Sequence, residues 1–133
     1  MNQTADELCY EIIGASMEVH KLFGPGLLER IYSQCLCREL TLRGLRYQTE
    51  VPIPLVYKDI RLDTIFKADL IVEDTVIVEL KAVADLNPLF EAQLISYLTL
   101  SRKPTGLLIN FNVPVLKRGI RRLVLGLEEN SGS

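Results

Sequence analysis

Ala68-Asp69-Leu70-Ile71-Val72-Glu73-Asp74-Thr75-Val76-Ile77-Val78-Glu79-Leu80-Lys81 is the stretch whose pairing decides the fold. Two apolar, β-branched runs flank Glu73-Asp74-Thr75, which predicts a hairpin. With Asp74 at the apex of a three-residue loop, Val72 faces Val76, Ile71 faces Ile77 and Leu70 faces Val78. Asp69 then lies opposite Glu79. Directly opposed side chains in an antiparallel pair have Cβ atoms about 4.5–5.5 Å apart, where like charges repel. Two carboxylates held there call for a shared proton or a cation between them, and oxygen ligands alone favour Mg²⁺, Mn²⁺ or Ca²⁺. Lys81 follows Glu79 by two residues and shares its face, while Leu80 points the other way. Acid, acid and ammonium at a hairpin end suit metal-assisted phosphodiester hydrolysis; the same trio is also compatible with ordinary salt-bridged surface charges.

Working outward, Asn87-Pro88 supplies an N-cap and a first-turn proline for a helix running to about Ser101. Gln93 and Tyr97, at i and i+4, share one side of it. They suit bonding to a phosphate or bracing of Lys81, or form the solvent edge of an amphipathic helix. Upstream, Ile60 to Val72 alternates as a half-buried strand after a turn at Lys58-Asp59. Leu45–Val51 and Leu55–Tyr57 read as extended pieces, with Pro52 and Pro54 suited to a sheet edge or bulge. Before them, Thr4 and Glu7 form a capping box, and Leu8, Ile12, Ala15, Val19 and Leu22 repeat at helical spacing until Gly24-Pro25-Gly26. A second helix is expected from about Leu27 to Leu42. After the central helix come a strand, Thr105 to Phe111, and a basic amphipathic helix from about Leu116 to Leu127. This order predicts an α/β sandwich around a mixed sheet.

At 133 residues the chain suits one domain, 1–127, with a flexible tail at 128–133. Hydrophobic residues at 48% and charged residues at 24% argue against disorder. No apolar run approaches the roughly 18 residues of a membrane span, and the N-terminus has neither part of a signal peptide. Cys9, Cys35 and Cys37 are an odd set with no metal-binding spacing, so a reducing, cytoplasmic location is expected. Net charge is -2, which does not mark the whole molecule as a nucleic-acid binder. Its distribution is uneven: Arg102, Lys103, Lys117, Arg118, Arg121 and Arg122 follow Glu91 with no acid until Glu128. That segment is either a local anion-binding surface or a solvated face.

Ala68-Asp69 followed by Glu79-Leu80-Lys81 resembles the PD-(D/E)XK nuclease superfamily, with Ala68 in place of the motif's proline. Gln93-Leu94-Ile95-Ser96-Tyr97 is similar to the Q-x-x-x-Y motif of its RecB-like branch. More closely, Gly26-Leu27-Leu28-Glu29-Arg30-Ile31-Tyr32 resembles the signature of the GxxExxY protein family, as do Val19-His20, Glu79-Leu80-Lys81-Ala82 and Asn110-Phe111. The resemblance implies a restriction-endonuclease-like αβββαβ core with a divalent metal, Mg²⁺ or Mn²⁺, at the sheet edge. It implies Asp69 and Glu79 as metal ligands, Lys81 positioning the attacking water, and Glu29 reaching the metal directly or through water. Gln93 and Tyr97 would support them, and His20 would face the same cleft.

The expected function is therefore a divalent-metal-dependent nuclease acting on DNA or RNA. Arg118, Arg121 and Arg122 would contact phosphates, no base-reading element is evident, and a homodimer or helper protein suits a chain of this size. A catalytically inactive module that keeps the fold and binds nucleic acid or a protein is the alternative. A phosphatase using the same carboxylates is a third reading.

Overall fold

The computed structural model describes residues 3–126, the side chains of 63–65 excepted. Helices α1 (Ala5–Phe23) and α2 (Glu29–Leu42) lead into strands β1 (Tyr47–Tyr57), β2 (Ile60–Val72) and β3 (Val76–Lys81). Helix α3 (Pro88–Ser101), β4 (Thr105–Asn110), a 3₁₀ turn (Leu116–Gly119) and β5 (Ile120–Val124) complete it. The five strands lie in chain order in one sheet, parallel between β3 and β4 and antiparallel elsewhere. This mixed sheet, flanked by helices, is the expected restriction-endonuclease-like αβββαβ architecture.

The local signals act where the sequence puts them. Thr4 accepts from the Glu7 amide while Glu7 accepts from that of Thr4, closing the capping box of α1. Asn87 caps α3 through the Leu89 amide, with Pro88 in the first turn. The two extended pieces around the prolines are one strand, β1. It is the sheet's edge, where Pro52 and Pro54 remove no central ladder bond, and its register slips between Ile53 and Leu55.

Each sheet face has its own core. Ile12, Leu36, Leu70, Val78, Leu80 and Leu107 pack in one cluster beneath α1 and α2. Ile53, Ala68, Ile77, Leu94, Leu98 and Leu108 pack in another beneath α3. Cys9 is buried, Cys35 and Cys37 are half-buried, and all three are free thiols.

The helix expected over 116–127 is the one element not formed. A single 3₁₀ turn leads instead into β5, which pairs Val124 with Thr105 and Ile120 with Ile109. Without it β4 would present an unpaired edge, and that backbone demand overrides the helical spacing of the leucines. The consequence for charge is direct. Arg121 and Arg122, consecutive on a strand, point to opposite sides. Arg121 approaches Glu91 of α3 at 3.7 Å, and Arg122 pairs with Asp6 of α1. The tail expected at 128–133 lies outside the described residues.

Tyr32 ties the helical hairpin to the sheet. Its ring is fully buried and stacks on Phe111 at 4.5 Å. Its hydroxyl donates to the Gly24 carbonyl and accepts from the Leu27 amide, closing the α1–α2 loop. Gly24 and Gly26, at φ 62° and 111°, supply the backbone that lets the chain turn there. Tyr32→Phe keeps the stack and strands two loop groups, so urea unfolding should show a loss of about 1–3 kcal/mol. Phe111→Ala, which empties the stack, should cost about 3–5 kcal/mol in the same measurement.

Candidate active site

The β2–β3 ladder runs Val72 to Val76, Ile71 to Ile77 and Leu70 to Val78, the register expected from the turn at Asp74, and then stops. At the next position the side chains take over from the backbone. The Asp69 amide donates to Glu79 Oε2 at 2.8 Å, and the Leu80 amide donates to Asp69 Oδ2 at 2.8 Å. Each carboxylate thus accepts a backbone N–H of the other's strand. The pleat also changes phase here. Ala68 and Leu70, two residues apart, belong to cores on opposite faces. Glu50, beside Asp69 in the β1–β2 register, has φ 48°. Neither the Glu50–Asp69 nor the Asp69–Glu79 position carries a ladder pair.

Electrostatics make this an uncomfortable place for two charges. Glu79 is only 5% exposed. Burial, then the Asp69 carboxylate, pushes its pKa up to about 8, against the pull of the Asp69 amide and Lys81; Glu29 adds to the rise. Asp69 is also raised, by burial first, with its Leu80 bond and Lys81 opposing and Glu50 adding. Glu29, the first residue of α2, is raised by partial desolvation and by Asp69, with Lys81 opposing. The loop closed by Tyr32 immediately precedes α2, so the Gly26 and Tyr32 of the motif position its glutamate.

Lys81 ends β3 half-buried, with Nζ 4.4 Å from the Phe90 ring centroid. Asn110, buried opposite it in register, accepts from the Val83 and Asn112 amides and donates to the Val83 carbonyl, fixing the chain just beyond Lys81. From α3, Tyr97 packs against Phe66, and burial, then Glu79 and Asp69, raises its pKa. Its hydroxyl has no hydrogen-bond partner among the described residues, and neither has the half-buried Gln93 amide one turn earlier. An orphaned hydroxyl beside two crowded carboxylates is a place where polar partners are missing.

A family model described as the PD-(D/E)XK nuclease superfamily matches residues 6–123. The chain belongs to that superfamily. Searches of curated proteins and of solved structures give no match. The donor set suits the divalent cations that PD-(D/E)XK nucleases generally use: hard carboxylate oxygens, buried at Glu79 and half-buried at Asp69, with raised pKa values that a cation would reverse. Among the described residues no group of three His, Cys, Asp or Glu side chains is gathered closely enough to hold a cation.

The remaining expected residues lie elsewhere. His20 does not open into the cleft; it is buried, with Nε2 2.8 Å from the Val113 carbonyl, and braces the segment after β4. Arg121 and Arg122 occupy opposite faces of β5 in ion pairs, and Arg118 precedes them in the 3₁₀ turn, so the basic segment presents no single surface. Glu50 is the cleft residue the sequence does not flag. Counting back from the Lys58-Asp59 turn puts it opposite Lys67, because the slip at Pro54 shifts the register by two.

A carboxylic acid whose pKa is raised in the folded state stabilises the fold below its unfolded value, and that stability is lost as pH rises through the folded value. With divalent cations chelated, melting temperature should therefore fall between about pH 4.5 and pH 8. Glu79→Gln should flatten the profile and melt higher at pH 8, and Mg²⁺ should restore wild-type stability at high pH. A wild-type profile flat over that range would show that Glu79 is not held protonated.

Proposed function

We propose that this chain is a divalent-metal-dependent nuclease that hydrolyses phosphodiester bonds of DNA or RNA. The observation that carries the reading is the Asp69–Glu79 exchange, which leaves one buried and one half-buried carboxylate at the end of a ladder with Lys81 on the same strand as Glu79. Asp69 and Glu79 would hold Mg²⁺ or Mn²⁺. When bound, the cation supplies Lewis acidity and offsets the charge that develops on the phosphate.

The chain's own groups do the rest. Lys81 Nζ orients the attacking water and stabilises negative charge on the phosphate oxygens. Glu29, within electrostatic reach of Asp69 and Lys81, accepts a proton through an intervening water. The Tyr97 hydroxyl and Gln93 amide donate to the phosphate or to the carboxylates, giving their unpaired groups partners. The finer GxxExxY reading rests on Gly26, Glu29 and Tyr32, which form one mechanical unit: a permissive turn, the acid, and the phenol that closes the loop.

One observation favours an inactive, nucleic-acid-binding module instead: the missing three-residue metal cage among the described residues. Mg²⁺ commonly keeps several waters and takes only one or two carboxylates, so two acids plus substrate phosphate suffice for the nuclease reading.

A cleavage assay on mixed single- and double-stranded DNA and RNA in Mn²⁺ separates the two. Wild type should cut, Asp69→Ala and Glu79→Ala should be inactive, and Lys81→Ala should lose roughly 10²–10³-fold in rate. Tyr97→Phe should retain more activity than any of these. Equal residual cutting by all variants would mark a contaminant and leave the inactive module standing.

A further inference from the structure

A groove of about 670 Å³ runs between α2 and the β1–β2 edge and ends at Asp69 and Glu29. Its helical wall carries Arg30, Gln34 and Arg38, all exposed and spaced i, i+4 and i+8 along one side of α2. Tyr47 and Thr49 of β1 face them, and the Tyr47 hydroxyl is 3.2 Å from Thr41 Oγ1. Arg43, Arg46, Lys103, Arg121 and Arg122 are each engaged in an ion pair. Arg30 and Arg38 have no ion pair among the described residues.

We propose that this groove is the track for a single nucleic-acid strand, held at its phosphates by Arg30 and Arg38. Eight residues of α-helix place the two guanidiniums about 12 Å apart along the axis. Two cations at that spacing, with an amide between them, fit a repeating anion better than an isolated phosphate. The track begins beside the carboxylates, so a strand seated on it delivers a phosphodiester to them. The volume is that of a small-ligand pocket, enough for a short stretch of one strand. Tyr47 gives a base a ring to stack on, a contact indifferent to sequence. The acidic end and the basic wall divide the work. Glu29, Glu50 and Asp69 repel phosphate unless a cation is present, while the arginines attract it regardless.

The inference rests on the nuclease reading for where the scissile phosphate sits, though binding itself needs no turnover. The test is therefore fluorescence anisotropy of a labelled single-stranded oligodeoxythymidylate in EDTA, titrated at several salt concentrations. Arg30→Ala and Arg38→Ala should each weaken binding roughly tenfold. Each should also make the plot of log affinity against log salt shallower by about 0.7, the signature of one lost phosphate contact on a single strand. Arg38→Lys should recover most of the affinity, and Arg102→Asn, at the far end of α3, should change neither quantity. A blunt duplex of the same length should bind more weakly. Unchanged affinity and slope in both alanine variants would overturn the proposal, as would an equal loss in Arg102→Asn or tighter binding of the duplex. Arginine-dependent binding without cutting in Mn²⁺ would retire the nuclease reading and keep the groove; cutting that ignores both arginines would do the reverse.

Discussion

The structure depends on an exchange between two strands that stop pairing. Beyond Leu70 and Val78, β2 and β3 no longer trade backbone hydrogen bonds, and the carboxylates of Asp69 and Glu79 take the amides that would otherwise be orphaned. The arrangement satisfies the backbone and pins both acids at once. Its electrostatic cost is two charges crowded into a buried place, which the fold answers with a raised pKa rather than with a nearby arginine. Lys81 opposes the rise without abolishing it. Such a site is stabilised by whatever brings positive charge, a proton or a cation.

Everything else serves to hold that gap open. Glu50 adopts a left-handed backbone that costs a non-glycine residue of order 1 kcal/mol or more. It sits where the pleat changes phase, and that change carries Ala68 into the α3 core while Leu70 stays beneath α1 and α2. On the far side Asn110 fixes the chain after Lys81, and Tyr32 links the α1–α2 loop to Phe111, the residue after Asn110. The glutamate and the lysine are thus aligned by two adjacent residues at the end of β4.

Much of this was legible in the sequence, because the governing interactions are local. A three-residue turn fixes the register of β2 on β3, and two capping motifs fix where α1 and α3 begin. What stayed hidden depends on contacts distant in sequence. The fifth strand exists because β4 needs an edge partner, a demand invisible in residues 116–127 themselves. Glu50 is obscured by a register shift between Ile53 and Leu55 that only pairing reveals. His20 has the composition of a site residue, and only the path of the chain after β4 turns it into a buried strut.

The misplacement of the basic residues has the largest functional consequence. Read as a helix, the C-terminal segment would gather Arg118, Arg121 and Arg122 on one surface; formed as a strand, it splits Arg121 from Arg122 and ties both to acids. Positive charge for a polyanion must then come from elsewhere on a chain of net charge -2. A local field depends on which charges are neutralised by neighbours, not on their number. By that criterion the arginines that matter are those without partners, and two of them line the groove leading to Asp69. The acidic chain and the anionic ligand are compatible because pairing, not composition, leaves Arg30 and Arg38 without an ion pair among the described residues.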